Sequence, residues 1–128
     1  MIAATCLAMA IYYEARSEPI DGQRAVADVI MARKHHVSYP DTVCAVVAED
    51  RGDKAYDCQF SFMCDGLLET YPDTDAWIQS NQIASLVLSP ALPDLVGGAT
   101  HYHADYVNPY WSKSLDSIAT IGSHKFYR

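Results

Sequence analysis

The chain has 128 residues, half of them apolar and a fifth charged, which is one domain's worth of ordinary globular sequence. A formal net charge of -7 argues against nucleic acid, whose phosphates need surplus Lys and Arg, and against tight docking on an anionic membrane. No apolar run reaches the roughly 18 residues of a membrane span, so no membrane insertion is expected.

The apolar stretch from Met1 to Ala10 lacks a basic start and runs into a polar Glu-Ala-Arg segment, so it reads as a first helix and not as a signal peptide. Helix is expected over residues 3–16, where Leu7, Ala10, Ile11 and Glu14 follow the i, i+3, i+4, i+7 spacing. One stripe is thus apolar and ends in a carboxylate. Glu18-Pro19 and Asp21-Gly22 mark a turn. A second helix is expected over 22–34, with Asp21 as its N-cap and Arg33-Lys34 near the negative end of its dipole. Tyr39-Pro40-Asp41 punctuates, and a short helix follows through Val43, Val46 and Val47.

Residues 50–66, with Asp53, Asp57 and Asp65, read as an ordered loop around Phe60-Ser61-Phe62. A further helix starts near Asp73 or Thr74 and ends before Pro90. Beyond Gly97-Gly98, Thr100 and Tyr102 alternate with His101 and His103, which suggests a short strand. Asn108-Pro109 turns the chain, and residues 118–127 supply a pairing strand interrupted at Gly122. The fold class is therefore α+β: a single domain over 1–128, mostly helical, with a small late β element. A monomer is expected.

Glu14 is the most informative position. A carboxylate closing an apolar stripe is partly desolvated, burial disfavours its charged form, and the raised pKa suits a general acid near neutral pH. The plain alternative is an ordinary helix residue paired with Arg16, Lys34 or Arg128. His101 and His103 share one face of a strand, as a zinc ligand pair would, and with Glu14 and His124 could sketch a metal hydrolase, but no H-E-x-x-H motif accompanies them. Cys64 with either histidine is a poor nucleophile beside Asp65, and no serine has the G-x-S-x-G elbow. Of the four cysteines, Cys6 reads as a small buried hydrophobe, while a disulfide among Cys44, Cys58 and Cys64 is open in an oxidising compartment. Nine Tyr, two Trp and three Phe offer flat faces that suit sugar rings as well as core packing.

Six ordered stretches resemble the SleB-type cell-wall hydrolases, the family of the spore cortex-lytic enzymes. They are Tyr-Tyr-Glu-Ala-Arg-Ser-Glu-Pro (12–19), Gly-Gln-Arg-Ala-Val-Ala-Asp-Val-Ile (22–30), Thr-Val-Cys (42–44), Cys-Gln-Phe-Ser-Phe-Met-Cys-Asp-Gly (58–66), Gly-Ala-Thr-His-Tyr-His-Ala (98–104) and Ile-Gly-Ser-His-Lys-Phe-Tyr-Arg (121–128). The resemblance implies a lysozyme-like fold related to goose-type lysozymes and lytic transglycosylases, with Glu14 as catalytic acid. The family usually has Gly where Ser17 stands and often Trp where Phe62 stands.

Most glycosidases use two carboxylates. Asp28, Glu18, Asp65 and Glu69 are the candidates for a second, none in a motif that marks it, and Glu18 reads as structural at its turn. A single-acid lytic transglycosylase acting on the peptidoglycan glycan strand is therefore expected, without a metal or other cofactor. Gln59, Ser61, His101 and Tyr102 would hold the sugar, and Trp111 or Phe60 would stack on a ring; apart from Tyr102, a core or loop-anchoring role fits each equally well. The alternatives are a muramidase using the same Glu14, a zinc amidase using His101 and His103, and a wall-binding module without activity. The place of action is the bacterial wall, periplasmic or extracellular, and a chain without a signal peptide would suit a phage endolysin or, equally, a catalytic domain cut from a longer exported protein.

Overall fold

The computed structural model describes residues 2–49, 58–64, 69–90 and 92–128. The acidic stretch with Asp53, Asp57 and Asp65 lies outside them.

The first helix, α1 (Ala3–Ala15), is rich in Ala, a strong helix former small enough to fit among other helices. It is buried almost all round: Leu7, Ala8, Ala10 and Ile11 are fully covered, so it forms the axis of the fold and not a surface helix. Pro19 ends this run, because it has no N–H to donate and disfavours helical backbone in the residue before it. The next helix, α2, is Ile20–Lys34. Its N-cap is Pro19, without a side-chain cap bond, so Asp21 is not the expected cap; it lies in the first turn, where its charge still suits the dipole.

Helix α3 (Val43–Val47) is capped by Thr42, whose hydroxyl accepts the Ala45 N–H at 3.1 Å, and α4 (Thr74–Val87) by Asp73, which accepts the Ala76 N–H at 3.1 Å. Helices α2, α3 and α4 all pack on α1 around Leu7, Ile11, Ile30, Val46, Phe60 and Ile83. A disulfide from Cys6 to Cys44 ties α1 to α3, so Cys6 is buried as expected but is bonded and not a simple hydrophobe. A second disulfide, Cys58–Cys64, closes the loop that carries Gln59 to Met63. Among the described residues no cysteine is free.

Three antiparallel strands follow: β1 (His101–Ala104), β2 (Ser117–Ile121) and β3 (His124–Tyr127), in the order β1-β3-β2. The expected single strand over 118–127 is thus a hairpin, and its second arm is the centre of the sheet. Gly122 makes the turn with a φ of 58°, where a side chain is strained, and a Cβ there would run into the Glu18 carboxylate and come within 3.0 Å of Pro19. Between β1 and β2 the chain makes a 3₁₀ turn over Tyr110–Lys113, entered through Pro109. The inner face of the sheet joins the end of α1 and the middle of α2 in a second apolar cluster of Ala15, Val26, Val29, Val96, Ala99 and Phe126. Tyr102 packs against both clusters and so stands where helices and sheet meet.

Candidate active site

Glu14 lies in the last turn of α1, where the enclosed helix reaches the surface between Tyr13 and Ala15. Its Oε1 accepts a hydrogen bond from the Tyr102 hydroxyl at 2.7 Å. Burial pushes the Glu14 carboxyl above the usual carboxylate range, and the Tyr102 bond and the nearby Arg33 charge only partly offset it. The Tyr102 hydroxyl is driven well above its ordinary value, first by burial and then by Glu14, so it stays a donor at any physiological pH.

Two adjoining cavities flank this pair and share Arg33, Gln59 and Tyr102 as walls. One, of about 350 Å³, holds Glu14 with Tyr13, His103, Tyr106, Val107 and His124. The other, of about 400 Å³, is lined by His101, Tyr110 and Trp111. Each is the size of a small-ligand pocket, and together they form one groove along β1, an edge strand of the sheet. Among the described lining residues Glu14 is the one carboxylate. A larger cavity of about 610 Å³ shares no residue with this groove; it is lined by Asp28, His35, Leu88 and Asp94, among others.

Of the other carboxylates considered for a second catalytic role, Asp28 lines that separate cavity, where it accepts the Leu95 N–H at 2.9 Å. Glu18 is committed elsewhere as well. Its two oxygens accept the Ser123 N–H at 2.7 Å and the Ser123 hydroxyl at 2.6 Å, which pins the β2–β3 turn to the end of α1. Burial opposes ionisation of Glu18, but the two Ser123 bonds and His124, 3.7 Å away, outweigh it and hold its carboxyl below the usual range. Asp65 lies outside the described residues, and Glu69 is exposed and lines neither part of the groove.

The groove gathers Glu14, Gln59, His101, Tyr102 and Trp111 from four separate parts of the chain. Three expectations need correction. Tyr102 does not have its hydroxyl free for sugar, because that hydroxyl is bound to Glu14. Phe60 is only 1% exposed, enclosed in the main core beneath the Arg33 guanidinium, and so has no face for a sugar ring. Ser61 is exposed at the start of a 3₁₀ turn and lines neither part of the groove.

Trp111 is present but half-buried, with His101, His103 and Tyr127 all within ring contact. Phe62 is buried in the main core and stacked on Tyr13, and it lines neither part of the groove. Reasoning from the sequence also passed over Arg33, Tyr106 and Tyr110 as site residues, and considered His124 only as a metal ligand. Period-two alternation on β1 carried the missing signal for Tyr102, since it turns Tyr102 away from His101 and His103 and towards the helices.

His101 and His103 do share a strand face, but the arrangement differs from a metal pair. His103 Nδ1 lies 2.7 Å from the Ala104 carbonyl and Nε2 lies 2.8 Å from the Tyr127 hydroxyl, so both ring nitrogens are engaged. Among the described residues no three His, Cys, Asp or Glu side chains stand close enough together to hold a metal ion.

A sequence profile described as Cell Wall Hydrolase matches residues 17–127. The chain belongs to the cell wall hydrolase family. Its relatives include the spore cortex-lytic enzymes of Oceanobacillus iheyensis, 33% identical over 94% of this chain and 39% of that protein, and of Halalkalibacterium halodurans, 35% identical over 94% of this chain and 33% of that protein. The chain therefore spans a third to two-fifths of the length of these relatives. In three dimensions it resembles the catalytic domain of the germination-specific lytic transglycosylase SleB from Bacillus anthracis, with a TM-score of 0.78 and 29% identity over 98% of this chain and 93% of that one. The mostly helical α+β architecture of the cell wall hydrolase domain is thus shared across the whole fold, including the end of α1 that carries Glu14 just ahead of the profile's first residue. Among the described residues no helix is long and apolar enough to cross a membrane.

Proposed function

We propose that this chain is a peptidoglycan-cleaving catalytic domain that cuts the glycan strand between MurNAc and GlcNAc by a lytic transglycosylase reaction, with Glu14 as its single acid and base. The observation that carries this reading is the environment of Glu14: a carboxyl raised by burial, fixed by Tyr102, and alone among the described carboxylates of the groove. A raised pKa keeps the proton available near neutral pH, which is what departure of a sugar hydroxyl requires.

The protonated Glu14 gives its proton to the glycosidic oxygen as the bond from that oxygen to MurNAc C1 breaks, and the GlcNAc end leaves with a free hydroxyl. Glu14, now a carboxylate and still steadied by the Tyr102 hydroxyl, takes the proton of the MurNAc C6 hydroxyl while O6 bonds to C1. The product is a 1,6-anhydro ring, no water is consumed, and Glu14 ends protonated for the next cycle. An attacking group within the substrate removes the need for a second carboxylate, consistent with Glu18 and Asp28 being engaged outside the groove.

The two disulfides support work in an oxidising compartment, at the wall and outside the cytoplasm. The test is Glu14→Gln assayed on purified sacculi. Loss of lysis by roughly 10²–10⁴-fold with an unchanged thermal midpoint is expected, and retained lysis overturns the reading.

A further inference from the structure

The segment between β1 and β2 has a feature that packing does not explain. Tyr106 is 86% exposed and Tyr110 is 89% exposed, with Val107 between them 43% exposed. Single exposed aromatics are ordinary on a protein surface. Here two stand on one short loop, and each lines one half of the same groove: Tyr106 the half that holds Glu14, Tyr110 the half beyond Tyr102.

The loop that carries them is anchored at both ends. At its start the Asp105 N–H donates to the Ser123 carbonyl at 2.8 Å, on the turn that Glu18 holds, and the Val107 N–H donates to the Ala104 carbonyl at 3.1 Å. At its far end Pro109 restricts the backbone and its carbonyl accepts the Ser112 hydroxyl at 2.8 Å, while Trp111 is packed against His101, His103 and Tyr127. A pair of rings left in water on rooted backbone is preorganised for a ligand with flat apolar faces and polar edges, and a pyranose ring has both. Trp111 is the anchor of this loop, and its neighbour Tyr110 presents the free ring.

Resting on the reading of the groove as a glycan-strand site, we infer that Tyr106 and Tyr110 are stacking platforms for two successive positions of the glycan strand, Tyr106 beside the bond that is cut and Tyr110 further along the chain. The ring faces supply the contact and the hydroxyls do not.

Steady-state kinetics on peptidoglycan glycans of defined length test this. Tyr106→Ala should raise KM about tenfold on every length, the scale of one aromatic contact, with kcat little changed. Tyr110→Ala should raise KM to a similar extent on long strands and leave it unchanged on the shortest strand that is cleaved. Tyr106→Phe and Tyr110→Phe should behave like the parent, and Val37→Ala, at an exposed position outside the groove, serves as the surface control. Parent-like KM in both alanine variants overturns the inference. So do phenylalanine variants as impaired as the alanine ones, or a Tyr110→Ala effect that does not depend on length. A parent chain that releases no glycan fragments would instead sink the underlying glycan-strand reading.

Discussion

Glu14, in the last turn of the central helix, and Glu18, in the turn that follows it, are four residues apart, yet their surroundings push their carboxyls in opposite directions. Glu14 receives one hydrogen bond, from a buried tyrosine, and burial dominates, so it holds its proton more tightly than usual. Glu18 receives two from Ser123 and has His124 nearby, so it gives its proton up more readily. One carboxyl is thereby suited to proton transfer and the other to holding a turn. Burial at Glu14, and the two Ser123 donors with His124 at Glu18, separate two carboxyls of the same residue type.

Glu14→Asp is the strongest way to break this comparison short of removing the acid. It keeps a titratable group but draws it one methylene back from Tyr102 and from the bond, and activity should fall on the order of 10²-fold, read as sacculus lysis at equal protein concentration. A variant within twofold of the parent would show that position matters little.

Tyr102→Phe removes the hydrogen bond that favours the charged form and leaves burial in place. Activity should drop roughly tenfold, and the alkaline limb of the pH–rate profile should move to higher pH, because Glu14 then keeps its proton longer. A limb that moves down, or stays, contradicts the assigned donor.

Glu18→Gln addresses the other carboxyl. It should cost about 1 kcal/mol of stability, since a charge-assisted pair becomes a neutral one, while the activity of the folded fraction persists. Because Glu18 has a folded pKa below its unfolded one, its contribution is present above the ordinary carboxylate range and is lost as pH falls through the depressed folded value. Thermal melts of the variant should therefore lose less stability on acidification than those of the parent.

Asp28→Asn is the smallest expected effect. Burial raises the Asp28 carboxyl to about 6, so its ionisation weakens the fold above that pH and the penalty is relieved as pH falls from about 6 towards the ordinary range. The variant should be at least as stable as the parent at neutral pH, with a flatter melting profile across that interval, and lysis should be unchanged because Asp28 lines a separate cavity.

The helices were largely legible because their signals are local. The Ala-rich start of α1, Thr42 and Asp73 before helix starts, and Pro19 and Pro90 after helix ends all act locally. Glu14 was legible as the end of an apolar stripe, and the ordered motifs set it within a family. The sheet was harder to read, because β1 pairs with β3 and not with β2, the next strand along the chain, and period-two patterns do not say which strand is the partner. The interior assignments failed for related reasons. Nothing in Phe60-Ser61-Phe62 indicates which ring faces the core, and the Tyr102 hydroxyl is committed by a contact to a helix 88 positions away. Tyr106 and Tyr110 went unnoticed because their exposure depends on how the loop is rooted on Ser123 and Trp111.

Digesting purified sacculi in ¹⁸O-labelled water and analysing the fragments by mass spectrometry tests the central claim most directly. A single acid with an attacking hydroxyl inside the substrate predicts MurNAc ends lighter by one water than reducing ends, with no label taken up from solvent. Labelled reducing ends would mean that water attacks, and would contradict the account.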